Sequence, residues 1–194
     1  MKMKKSLGMS FVESMVSIAV ASILSLAVVS TFSTSSNVIV SHNLKTKANE
    51  EGKAAFDMVS RLLRQSQRSS VKITTTDTST ILDLTIPAGY PIWPNDVSPY
   101  SDNAIRIQWE NGNTINHPNE LRIGKAASLS GLNSAVLETL VGHAASMETS
   151  ITNFQVKPIA GGKYFELTLA SLATLKSDMA PSQTVFQGYV LPRN

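Results

Sequence analysis

The chain has 194 residues, 42% of them hydrophobic and only 16% charged, which is enough for one modest domain plus an apolar segment. Its formal charge of +3 does not describe a nucleic-acid-binding surface. Removing Lys2, Lys4 and Lys5 from the 17 basic residues leaves 14 to face 14 acidic ones, so the surplus is confined to the N-terminal tail. The absence of cysteine excludes disulfides, thiolate metal sites and cysteine nucleophiles, and leaves a core to hold the domain together.

The basic tail ends at Gly8 and is followed by an apolar run from Met9 to Phe32. At about 24 residues, or roughly 36 Å as a helix, this run is long enough to cross a bilayer core of about 30 Å. The preceding lysines predict a cytoplasmic N-terminus and an exported C-terminus. From Phe11 to Phe32 the only charged side chain is Glu13. A carboxylate near or inside a bilayer costs a few kcal/mol unless something pairs it, and an ordinary anchor or signal peptide has no use for one. A chain cut after Gly8 would have a use: the new amine of Met9 would lie one helical turn away, or could reach Glu13 of a neighbouring chain. A secretory signal peptide is the plainer alternative, with Ala19-Val20-Ala21 or Ser33-Thr34-Ser35 offering small-residue cleavage sites. Ser17, Ala21 and Ser25 share one helix face. They read either as a close-approach surface for another membrane helix or as hydroxyls tolerated by bonding to their own backbone.

Helical periodicity continues beyond the apolar run. Leu44, Ala48, Ala55, Val59, Leu62 and Ser66 follow three- and four-residue steps, and Phe56 and Leu63 widen the stripe. Lys45, Lys47, Asn49, Glu50, Lys53, Asp57 and Arg61 take the other side, as expected of an amphipathic helix laid on a domain. Arg61, Arg64 and Arg68 suit the negative end of the helix dipole; a basic binding patch is the sharper alternative. Met9 to Ser66 thus reads as one nearly continuous helix of roughly 85 Å, with bends expected at Ser33–Asn37 and Gly52.

After Ser70 the pattern changes to short β-like runs separated by turn residues. Strands are expected at Val71–Thr74, Thr80–Ile86, Ala104–Trp109, Asn113–Ile115, Glu120–Ile123, Ile151–Pro158, Tyr164–Leu169 and Val185–Leu191. Asn111-Gly112 and Gly161-Gly162 mark hairpin turns, and Ser134–Leu140 reads as a short helix. Strands grouped after a helix indicate an α+β fold, with an antiparallel sheet packed on the amphipathic half of the helix. The resulting division is a leader (1–8), a transmembrane helix (9–32), an amphipathic helix (33–69) and an exported β-rich domain (70–194). Pro87, Pro91, Pro94 and Pro99 make 87–103 a proline-rich excursion between strands.

No constellation of catalytic residues is visible. His42, His117 and His143 stand in unrelated segments without metal-ligand spacing. Asp96, Ser98, Ser101, Asp102 and Asn103 crowd one loop and could offer Ca²⁺ its oxygen ligands, although solvated turn residues are the simpler reading. In the same loop Tyr90, Trp93 and Tyr100 either form a contact surface for carbohydrate or protein or anchor the loop to its own domain. No enzyme activity, cofactor or metal is expected.

The stretch Lys4-Lys5-Ser6-Leu7-Gly8-Met9-Ser10-Phe11-Val12-Glu13-Ser14-Met15 resembles the class III signal of prepilins, in which a short basic leader ends in Gly and a Glu follows five residues later. Met9 stands where Phe is usual, and Ser14-Met15 replaces a commoner apolar pair. The helix Ala48–Gln65 and the Arg193-Asn194 ending resemble PilW-type minor pilins and the J-type minor pseudopilins of type II secretion; the β-domain matches these proteins only in layout. The resemblance implies that a prepilin peptidase cuts after Gly8 and methylates the Met9 amine. It further implies a single-pass subunit waiting in the bacterial inner membrane, with its C-terminal domain in the periplasm, that joins other minor and major pilins or pseudopilins through an assembly platform. Glu13 would neutralise the amine of its own or an adjacent subunit during docking. The expected function is that of a minor pilin that initiates or caps a type IV pilus. A pseudopilin or competence-pilus subunit is the alternative, and a membrane-anchored binding module or adhesin is the reading from a different class.

Overall fold

In the computed structural model the described residues are 11–87, 103–111, 119–141, 149–173 and 181–193. The chain divides into two compact units, Met1–His42 and Asn43–Asn194. The described part of the first unit is entirely helical and belongs to α1 (Phe11–Gln65), whose remaining residues open the second unit. Helical hydrogen bonding continues through Ser33–Asn37 and Gly52, where the sequence suggested bends.

The second unit is α+β. A 3-10 turn at Arg68–Ser70 leads from α1 into β1 (Lys72–Thr75), followed by β2 (Ser79–Ile86), β3 (Asn103–Glu110), β4 (Leu121–Ala126), β5 (Leu137–Val141), β6 (Thr149–Ile159), β7 (Tyr164–Ala173) and β8 (Ser182–Val190). Every pairing between these strands is antiparallel. They form two sheets rather than the one expected: a five-stranded sheet in the order β1-β2-β3-β4-β5 and a three-stranded sheet β6-β7-β8. The sheets are joined where Trp109 Nε1 donates to the Ile151 carbonyl at 2.7 Å and Ile151 N–H donates to the Asn119 carbonyl at 2.8 Å. Both bonds fall beside a bulge in β6, where Ile151 pairs with Ser171 and Asn153 with Ala170, leaving Thr152 as the extra residue.

The expected apolar stripe is the face that α1 buries. Ala55, Val59, Leu62 and Leu63 are almost completely buried, in one cluster with Leu82, Leu84, Ile105, Ile107, Phe154, Val156, Leu167 and Leu169 from both sheets. The stripe also runs through Gly52. A Cβ there would lie 2.6 Å from Ser171 Oγ and 2.8 Å from the Phe186 ring, so glycine is required for close approach to β7 and β8. Phe56 fills the neighbouring space, its ring centroid 6.1 Å from that of Phe186. At the end of α1 the C-terminal stretch supplies backbone partners: Arg193 N–H donates to the Ser66 carbonyl and Arg68 N–H donates to the Arg193 carbonyl. These bonds meet part of the demand that a helix terminus makes for hydrogen-bond partners.

The short helix expected at Ser134–Leu140 is not formed. A 3-10 turn occupies Leu129–Ser134 instead, and β5 begins at Leu137. The apolar spacing misled because β5 is bulged. Leu121 pairs with Val141 but Arg122 pairs with Thr139, so Leu140 is the extra residue. The bulge lets adjacent Leu140 and Val141 both reach the core, whereas Val136 is 83% exposed. Pairing with the edge of β4 outweighs local helical patterning here.

The hairpin at Gly161-Gly162 is present, with Ala160, Gly161 and Gly162 all in the left-handed region at φ 50°, 66° and 78°. β3 ends at Glu110 and Asn111 follows it; the segment 112–118, with its expected strand at Asn113–Ile115, lies outside the described residues. The connection resumes at Asn119, with φ 60° and its N–H donating to the Glu110 carbonyl.

Candidate functional site

The candidate site built from the sequence is the start of α1. Glu13 lies in the first turn of the described helix and is exposed. Its backbone carbonyl accepts from Ser17 Oγ at 2.8 Å, and among the described residues no basic group pairs with its carboxylate. Gly8 and Met9, the expected processing residues, lie outside the described residues. Around Glu13 the helix presents apolar side chains in all directions: Phe11, Val12, Met15, Ile18, Ile23, Leu24, Val28 and Phe32 are each more than half exposed. A helix that is hydrophobic on all sides has no core of its own to face, and this one is long and apolar enough to cross a membrane.

The serines of this helix bear on the close-approach reading. Ser17, Ser22 and Ser25 donate their hydroxyls to the carbonyls of Glu13, Ile18 and Ala21, and Thr31 and Thr34 do the same four residues back along the chain. Each hydroxyl is therefore satisfied within its own helix. The Ser17, Ala21, Ser25 face stays small without presenting a hydroxyl that requires a partner helix.

In the second unit the charged groups serve structural roles. Arg106 makes two bonds to Asp83, each 2.8 Å, and also donates to the Leu132 carbonyl and Asn133 Oδ1, tying the 3-10 turn Leu129–Ser134 to β2 and β3. The hydrogen bonds that Arg106 donates to Asp83 raise its pKa, working against the smaller effect of burial. Arg122 pairs with Glu110 at 3.0 Å, and the buried Glu120 accepts from Thr139 at 3.1 Å. These pairs lie across neighbouring strands.

Of the expected basic triplet, Arg64 sits in the last turn of α1, as the dipole argument requires. Arg61 is half-buried on the helix, and Arg68 lies beyond the helix, donating to the Gly161 carbonyl at 3.3 Å. The three do not form one patch on α1. His42 is exposed on α1. His117, His143, Tyr90, Asp96, Trp93, Ser98, Tyr100, Ser101 and Asp102 lie outside the described residues; Asn103 opens β3 opposite Ile86. Among the described residues no group of His, Asp and Glu side chains is arranged to hold a metal ion. Sequence reasoning missed the packing role of Gly52, which it took for a bend. The signal was available, since Gly52 continues the four-residue step from Ala48.

Neither a family model, a curated protein nor a solved structure matches the chain.

Proposed function

We propose that this protein is a structural subunit of a type IV pilus-like filament, a minor pilin processed after Gly8 and assembled through α1. The observation that carries the reading is a single carboxylate, Glu13, at the start of a helix whose first part is apolar on every side and whose last part is buried against two antiparallel sheets. The apolar part suits a subunit held in a bilayer before assembly, with the basic tail on the cytoplasmic side. Extraction into a filament would exchange lipid around that helix for neighbouring helices of the same chemistry. Glu13 gains a partner in this scheme from the amine created at Met9. The partners are a prepilin peptidase, other pilins or pseudopilins, and an inner-membrane assembly platform; the chain itself catalyses nothing.

Mass spectrometry of the protein extracted from bacterial membranes tests the processing step. The expected N-terminus is a methylated Met9, and Gly8→Val should leave the leader attached. A chain beginning at Met1, or after Ala21, would overturn the pilin reading in favour of a plain anchor or a signal peptide. Assignment to a pilus rather than a secretion pseudopilus follows from which filament loses its tip or its initiation when the chain is deleted.

A further inference from the structure

Within the Asn43–Asn194 unit, β1 forms one end of the five-stranded sheet and pairs only with β2 among the described strands. Between β1 and the β6–β7 hairpin lies a cleft of about 810 Å³, lined by Arg68, Val71, Ile73, Pro158, Gly161 and Phe165 among others. Its size falls in the range of about 300–1,000 Å³ typical of ligand clefts. Phe165 is buried and Ile73 half-buried, giving the cleft an apolar wall next to an open strand edge. Such an edge is a template for strand addition; Lys72–Thr75 contains no proline and no register shift, and its shortness and the exposed Lys72, which blunt the edge against a copy of itself, leave it open to a strand of opposite charge.

The carboxylates of Asp83 and Glu166 near this edge are engaged by other side chains, which leaves basic groups to set its charge. Arg68 is half-buried at the cleft, held by the Gly161 carbonyl, and no described carboxylate pairs with it. Lys72 is exposed on the other face of β1; its cross-strand neighbour Asp83 is already bound by both of its oxygens to Arg106. Lys163 is exposed next to Gly162. The nearest acid on the hairpin, Glu166, accepts from Gln187. An added strand would therefore meet the apolar side chains of Val71 and Ile73 with Arg68 beside them on the cleft face, and Lys72 on the other face.

We infer that this cleft receives an extended segment of another protein chain with alternating apolar and acidic residues, which adds as a strand to the free edge of β1. Backbone bonds to β1 supply affinity, and the two side-chain rows supply specificity. A flat anionic bilayer fits less well, because Arg68 lies within a concavity rather than on a projecting face. The inference does not depend on the filament reading, since it concerns only the folded β-rich unit.

Fluorescence anisotropy on the full-length protein in neutral detergent tests it, with a labelled short peptide of alternating Val and Glu as the probe. The acidic peptide should bind about tenfold more tightly than its counterpart with Lys in place of Glu. Methylation of alternate backbone nitrogens should abolish binding. Arg68→Gln and Lys72→Gln should each weaken it several-fold. Lys72 is exposed, so the second variant keeps the test valid if the first loosens the hairpin. Equal binding of acidic and basic peptides, or binding indifferent to backbone methylation, would overturn the proposal. So would binding to vesicles of anionic lipid, lost in the same variants, without binding of the acidic peptide.

Discussion

Glu13 separates the functional readings because its cost and its benefit arise in different states. A carboxylate at the centre of a membrane-spanning helix costs about 2.5–3.5 kcal/mol on insertion scales, and less near an end. In a plain anchor, Glu13→Ala should be neutral or should improve insertion. In a filament subunit the same change leaves the Met9 amine without its partner, and a buried pair that loses one member typically costs about 3–5 kcal/mol. We expect Glu13→Ala to insert and to be cleaved, yet to enter or initiate filaments poorly, with Glu13→Asp intermediate because the charge stays and the reach shortens. Filament yield at matched membrane levels is the measurement; normal assembly by Glu13→Ala would remove the residue from the mechanism. The residue was legible in the sequence because charge inside an apolar run needs no tertiary context to stand out. The partner proposed for it, the Met9 amine, would exist only in a chain cut after Gly8.

Among the elements, α1 was the easiest to read and Gly52 the easiest to misread. A period of 3.6 residues marks the buried face, and Ala55, Val59 and Leu62 obey it. Glycine in a helix is ordinarily a weakness of about 1 kcal/mol relative to alanine, so local reasoning takes Gly52 for a bend. Against the sheet the sign reverses: a methyl group would press on Ser171 and Phe186 at under 3 Å. Overpacking of this kind typically costs about 1–3 kcal/mol, more than the helix propensity gained. Gly52→Ala should therefore lower the melting temperature, and the loss should shrink in a Ser171→Gly background, where Oγ and Cβ are both removed. A Gly52→Ala protein as stable as wild type would show that the close approach is not a packing constraint. The hairpin at Gly161-Gly162 was readable because its turn chemistry is local. β5 was not, because its bulge is defined only by the register with β4.

For the whole molecule, the division at His42/Asn43 carries its own test. A chain starting at Asn43 should fold alone, since the buried face of α1 and both sheets lie within it. Amide exchange across Ala55–Leu63 should be slow there, as expected for helix backbone packed in a core; fast exchange would mean that the apolar N-terminal segment is needed for folding. By itself the sequence determined the α+β class, the helix face, most strands, the turn at Gly161-Gly162, and the lone carboxylate in an apolar run. Each of these is a local pattern of period, charge or turn chemistry. Only the tertiary structure decided that the strands form two sheets, that bulges at Leu140 and Thr152 set their registers, that Gly52 is a packing residue, and that β1 ends a sheet beside a cleft. Those features depend on which segments meet across long chain separations. Strand pairing is decided by the competition of every edge for its partners, and no single segment of sequence contains that competition.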